Sequence, residues 1–168
     1  MTSREPLPFD PILRAAALWD ERIGPSRTMA AVTSVMRVQQ ILLSAVDGAL
    51  RPHGLTFARY EALVLLTFSS SGQLPMSKVG ERLMVHPTSA TNIVQRLEAQ
   101  GFVSRRPNPR DGRGTLAAIT DSGRDVMEAA TADLVAGGFG LSMLSAEEHE
   151  QLFALLRKVR VARGDFAE

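Results

Sequence analysis

Apolar residues recur along the chain at two periods, and the change between them marks where its elements begin and end. Asp10 followed by Pro11 reads as an N-cap with proline in the first helical position, after which Ile12, Ala16, Trp19 and Ile23 step at helical spacing to a stop at Gly24. A longer helix is predicted over Thr28–Leu50. Met29, Val32, Met36, Gln39, Leu43, Val46 and Leu50 advance by threes and fours, and Val35, Val38, Leu42, Ala45 and Ala49 form a second stripe beside them. A helix apolar around so much of its circumference must be covered on several sides, which predicts the core of a dimer interface. Arg37, Gln39 and Gln40 leave one polar strip. Thr56 is the predicted N-cap of the next helix, with Leu55 stapling onto Tyr60 and with Phe57, Leu63, Val64, Leu66 and Phe68 in the core.

From Leu74 to Gly114 the pattern predicts a helix-turn-helix followed by a basic β-wing. Val79 and Leu83 lie four apart among Lys78, Glu81 and Arg82, the mark of a short helix with one buried stripe. A turn is expected at Met84, Val85 and His86, and Pro87 suits the first position of a second helix that ends near Gln100, before Gly101. In that second helix Ala90, Ile93, Val94 and Leu97 face inward. Pro87, Thr88, Ser89, Thr91, Asn92, Gln95 and Arg96 are left outside. Hydroxyls, amides and one Arg suit base edges better than the Glu/Lys pairs of a merely solvated helix, since Asn and Gln can bond an adenine edge bidentately. The period then shortens. Phe102–Arg106 and Thr115–Thr120 read as a hairpin, with Pro107–Gly114 as its loop and Asp111-Gly112 as the tight turn. Arg105 and Arg106 stand at its base, and Arg110 and Arg113 at its tip, where a cation can enter the minor groove; Asp111 is placed to orient Arg113.

Beyond the hairpin a helix is predicted from Asp121 to about Ala136, with Val126, Ala129, Ala130 and Leu134 inward and the Gly137-Gly138 pair ending it. Ser145 and Glu148 form a capping box for a last helix whose expected buried face is Leu152, Leu155, Leu156 and Val159.

Net charge over the 168 residues is only +1, but its distribution is uneven. Residues 74–114 hold seven Lys/Arg against three Asp/Glu, and residues 115–168 hold five against nine, so a basic region faces an acidic remainder. The absence of cysteine excludes disulfides and thiol-based sensing. His53, His86 and His149 lack ligand spacing, so no metal and no cofactor are expected. No nucleophile motif or phosphate loop supports an enzyme. Only seven apolar-dominated residues run together, at Ala62–Phe68, far short of a membrane span, and the start shows no leader, so no membrane partner and a cytoplasmic location are expected.

At the recognition helix and wing the sequence resembles the MarR family of bacterial transcriptional regulators. The matching stretches are RLEAQGFV (Arg96–Val103), RRPNPRDGRG with Asp111 and Arg113, and ITDSGR (Ile119–Arg124), within a resemblance spanning roughly residues 28–163. The resemblance implies a mainly α fold with a small β-hairpin wing: a winged helix-turn-helix carried on a helical dimerisation region built from the N- and C-terminal helices. It implies a homodimer that binds near-palindromic double-stranded DNA and is tuned by a small ligand. An Arg is common in the family where this chain has Asn92, so no base preference carries over.

Residues 1–9 are then expected to be a mobile terminus, 10–54 and 121–168 the dimerisation region, and 55–120 the DNA-binding domain. Ser89, Thr88, Asn92 and Gln95 are the expected base readers, flanked by Pro87 and Thr91. Arg96 and Ser77 are expected on phosphates, and Arg113, Arg110 and Asp111 at the wing. A ligand site is expected at the hinge between helices and winged unit, around Trp19, Met36, His53, Arg59 and Tyr60. A winged helix that binds protein instead of DNA is the competing reading, because that fold does not dictate function.

Overall fold

The computed structural model describes residues 5–109 and 111–167, with residues 112 and 113 described by backbone alone. The chain divides into two compact units, Met1–Ala45 and Val46–Glu168.

In the first unit, α1 (Pro11–Arg22) starts as expected: the Asp10 carboxylate accepts from the Ile12 and Leu13 amides at 2.8 and 3.3 Å. Gly24, at φ 141°, ends the turn, and the Ser26 amide and hydroxyl donate to Asp20 at 2.8 and 3.0 Å. This closes the corner from which α2 (Arg27–Leu50) departs. Up to Ala45 neither helix buries an apolar side chain; Leu13, Ile23, Val32, Val35, Met36 and Ile41 are all exposed. One expectation needs correcting here. Together with the 3-10 turn that follows it, this helix (Arg27–His53) is long and apolar enough to cross a membrane, with a mean hydropathy of 1.4 over an 18-residue window. Counting unbroken apolar runs missed it because Arg37, Gln39 and Gln40 interrupt the run without lowering the average enough. A span is nonetheless a poor reading of it. Val46 and Leu50 lie in a folded core, and Asp47 caps the next helix.

The second unit holds that core. Its elements are the end of α2, a 3-10 turn at Arg51–His53, α3 (Phe57–Thr67), β1 (Gln73–Pro75), α4 (Met76–Arg82), α5 (Pro87–Ala99), β2 (Val103–Asn108), β3 (Asp111–Ile119), α6 (Asp121–Ala136), a second 3-10 turn at Gly138–Gly140 and α7 (Ala146–Ala162). Leu50, Leu63, Leu66, Val79, Val94, Leu97 and Leu134 are sealed from solvent, so one cluster ties α3 to both helices of the helix-turn-helix and to α6. Full burial of each such side chain stabilises by about 1.5–3 kcal/mol.

Several local expectations change. Thr56 is the N-cap of α3 but makes no side-chain cap; Asp47 supplies it from α2, accepting the Phe57 amide at 2.7 Å. Phe68 lies past the end of α3 and is 82% exposed instead of buried. In α6 it is Met127 that is buried, while Ala129 faces solvent, because the buried stripe runs Gly123, Met127, Ala130, Leu134. The capping box of α7 is present as expected, but its apolar face is open: Leu155 and Val159 are exposed in the single chain.

The sheet has three antiparallel strands in the order β1-β3-β2, with Leu74 opposite Ala117 and Val103 opposite Ile119. Strand β1 went unread because three residues are too few to show alternation. The wing strands also run further than expected, and Asn108 pairs with Asp111. Asp111 and Gly112 therefore lie on β3 and do not form the tight turn expected there.

Candidate nucleic-acid interface

Helices α4 and α5 pack against each other at Gly80. A Cβ there would lie 3.5 Å from the Ala90 Cβ and from the Val85 carbonyl oxygen, already at van der Waals contact. The chain reverses at Leu83, Met84 and Val85, whose amides donate to the Val79, Glu81 and Gly80 carbonyls. Met84 takes φ 53°, the left-handed conformation such a turn requires. Helix α5 then starts at Pro87, as expected. His86, read only as a turn residue, is its N-cap, the ring Nδ1 accepting from the Thr88 amide at 3.3 Å. Its place immediately before a first-turn proline was the signal for that role. Pro75 occupies the N-cap of α4, so Ser77 is not a cap there.

The two faces of α5 separate as expected. Ala90, Val94 and Leu97 are buried; Pro87, Thr88, Ser89, Asn92, Gln95 and Arg96 are exposed, and so is Ser77 on α4. Thr91 is half-buried, its hydroxyl donating back to the Pro87 carbonyl at 3.0 Å. Among the described residues, the side chains of Ser77, Ser89, Asn92, Gln95 and Arg96 make no hydrogen bond or ion pair within the chain, which leaves their donors and acceptors available. Neighbouring charges behave differently. Lys78 holds Glu81 at 2.6 Å, and that hydrogen bond and charge hold the Glu81 carboxyl below its usual range. Arg105 is tied to Glu98 at 2.7 Å, bracing β2 against the end of α5.

At the wing, Arg110 and the side chain of Arg113 lie outside the described residues. Asp111 opens β3 opposite Asn108, and a Cβ at Gly114 would fall 2.8 Å from the Asp111 carboxylate, so a larger residue at 114 would have to push that carboxylate aside. A small cavity at the wing root is lined by Ser77, Thr91, Arg105, Asn108 and Asp111.

The residues expected around a ligand are divided between the two units. Trp19 and Met36 are in the first unit and are both exposed. In the second unit the other three each have their own partner. His53 Nε2 lies 2.7 Å from Asp133, and the buried Tyr60 hydroxyl 2.9 Å from that of Thr131. Arg59 donates to the Thr56 hydroxyl and to the Gln100 side-chain oxygen at 3.3 and 3.0 Å. Gln100, unremarked in the sequence, in turn donates to the Gly54 carbonyl.

A model of the MarR family matches residues 53–114, from the turn before α3 to the wing. The fold is similar to that of Sco5413, a MarR family transcriptional regulator from Streptomyces coelicolor, at 65% identity and a TM-score of 0.80, covering 84% of this chain and 99% of that one. The chain belongs to the MarR family. Two other MarR-like folds carry ligands. Sco3205 of the same organism, solved in complex with DNA, is 25% identical with a TM-score of 0.72 over 80% of this chain and 86% of that one. CouR from Rhodococcus jostii RHA1, solved bound to p-coumaroyl-CoA, is 30% identical with a TM-score of 0.66 over 80% and 92%. The present MarR-family chain is thus a transcriptional regulator with a winged helix-turn-helix, not an enzyme.

Proposed function

We propose that this MarR-family regulator works in the cytoplasm as a homodimer that reads near-palindromic double-stranded DNA. Two copies of α5, related by a twofold axis, enter successive major grooves roughly 34–36 Å apart, and the wings reach the flanking minor grooves. Thr88, Ser89, Asn92 and Gln95 meet base edges, with Pro87 and Thr91 shaping the first turn beside them. Ser77 and Arg96 hold phosphates; Arg113 and Arg110, with Asp111 as orienting group, act at the wing. The observation that carries this reading is the outer face of α5: Ser89, Asn92, Gln95 and Arg96 are exposed and their side chains make no hydrogen bond or ion pair among the described residues. The DNA complex of Sco3205 supports it from outside. An apolar organic acid or aromatic effector adjusts the spacing of the two α5 helices, a reading supported by the bound acyl-CoA of CouR.

Footprinting on the DNA upstream of its own gene should protect a near-palindrome. On that operator Asn92→Ala is expected to lose about 1–3 kcal/mol of discrimination against random DNA, whereas Arg113→Ala should weaken both alike. Equal losses on operator and random DNA for Asn92→Ala would remove its reading role.

A further inference from the structure

Beside the outer face of α5 lies a cavity of about 270 Å³ lined by Thr56, Arg59, Asn92, Ile93 and Arg96. Two guanidiniums border it, and its lining contains no carboxylate. Arg59 is half-buried, and its partners among the described residues are neutral: the Thr56 hydroxyl through Nε and the Gln100 side-chain oxygen through one Nη. Gln100 is itself held by the Gly54 carbonyl at 3.0 Å, so Arg59 is braced at two points and its planar head is oriented in advance. A guanidinium has five N–H donors, and these two bonds leave three unused. Arg96 enters the same cavity from α5 with no hydrogen bond or ion pair among the described residues. Two like charges bordering one space without a counterion repel one another, and an anion seated between them relieves that repulsion while accepting bidentate bonds.

We propose that Arg59 and Arg96 together seat one phosphodiester of bound DNA, which makes Arg59 a DNA-backbone anchor on α3, outside the helix-turn-helix. This rests on the reading of α5 as the DNA-facing helix, because Asn92 and Arg96 belong both to its outer face and to the cavity. The seat fixes how far α5 can slide along the groove, since one of its walls is on α3 and the other on α5 itself.

The test is the salt dependence of affinity for operator and random duplexes, for wild type, Arg59→Ala, Arg59→Lys, Arg96→Ala and the Arg59→Ala/Arg96→Ala pair. Thermal melts of each variant identify any loss due to folding. Each phosphate released should lower the slope of log affinity against log salt by ~0.9. Arg59→Ala is expected to lose that amount on both DNAs, Arg59→Lys to keep most of it, and the double variant to lose no more than one phosphate's worth. A methylphosphonate scan of the operator should find one position whose neutralisation weakens wild type but leaves Arg59→Ala unaffected. An unchanged slope in Arg59→Ala, or a double variant that loses two phosphates' worth, overturns the shared seat. If wild type itself shows no salt-dependent DNA binding, it is the function proposed above that fails.

Discussion

At the scale of single residues, three positions are set by space and solvation, and each has a signed consequence. A Cβ at Gly123 would overlap the Phe102 carbonyl oxygen at the corner where Thr120 caps α6 and its hydroxyl bonds the Gly101 carbonyl at 2.8 Å. A backbone oxygen cannot rotate away, so Gly123→Ala should cost about 1–3 kcal/mol in urea denaturation. Gly80→Ala should do the opposite. Its Cβ fits at 3.5 Å, and removing a glycine from a helix interior is worth about 0.5–1 kcal/mol. Glu61, half-buried on α3 with no partner among the described residues, has its carboxyl raised above the ordinary 4.5 by desolvation. The folded chain therefore keeps that proton to higher pH than the unfolded chain does. Its contribution is most favourable below the unfolded value and is lost as pH rises through the raised folded one. Glu61→Gln should accordingly melt higher than wild type at neutrality and show no advantage in acid; a gap that does not vary with pH would mean the carboxyl titrates normally.

At the scale of elements, legibility followed the length of the pattern. Helices α2, α5 and α6 could be read because their apolar residues repeat through several turns, and the start of α5 because Pro87 both begins a helix and lacks an amide that would need a partner. The outer face of α5 was legible as a composition; that Ser89, Asn92, Gln95 and Arg96 make no side-chain bond among the described residues required the three-dimensional structure. What failed was set by distant partners. Asp47, ten residues before α3, caps it in place of Thr56, and β1 exists only because β3 supplies its hydrogen bonds. Asp111 lies on a strand and not in the expected turn because it pairs with Asn108, a register that local turn propensity could not disclose. The brace between α5 and the wing gives a prediction of its own. Arg105 spends its charge on Glu98 at the surface, an interaction worth ~0.2–1 kcal/mol. Glu98→Gln should lower stability by no more than that and tighten binding to random DNA at low salt, because a cation beside α5 is released. Unchanged affinity for random DNA would place Arg105 out of reach of the phosphates.

At the scale of the whole molecule, the open question is what covers the apolar faces outside the core. On α2, Val32, Val35, Met36, Val38 and Ile41 are exposed, and on α7, Phe153, Leu155, Leu156 and Val159, so two long helices bury little or nothing of their own apolar stripe within the chain. Contiguous apolar surface of this kind is rare on a monomer and marks an interface. A second copy fits the demand best, because a twofold also supplies the second α5 that a palindrome requires. The consequence can be measured. Val35→Glu and Leu155→Glu change side chains that are exposed in the single chain, so each should leave helix content and the melting of the winged unit nearly unchanged, within about 0.5 kcal/mol. Sedimentation should nevertheless show dissociation, because a charge is placed where the partner's apolar side chains must pack. Affinity for an isolated half-site should survive, since α5 is untouched. Affinity for the full operator should fall by on the order of 10² or more, because the two half-sites no longer engage as a linked pair. If both variants stay dimeric and hold the operator as tightly as wild type, these faces are not where the copies meet, and α2 and α7 must serve some other partner.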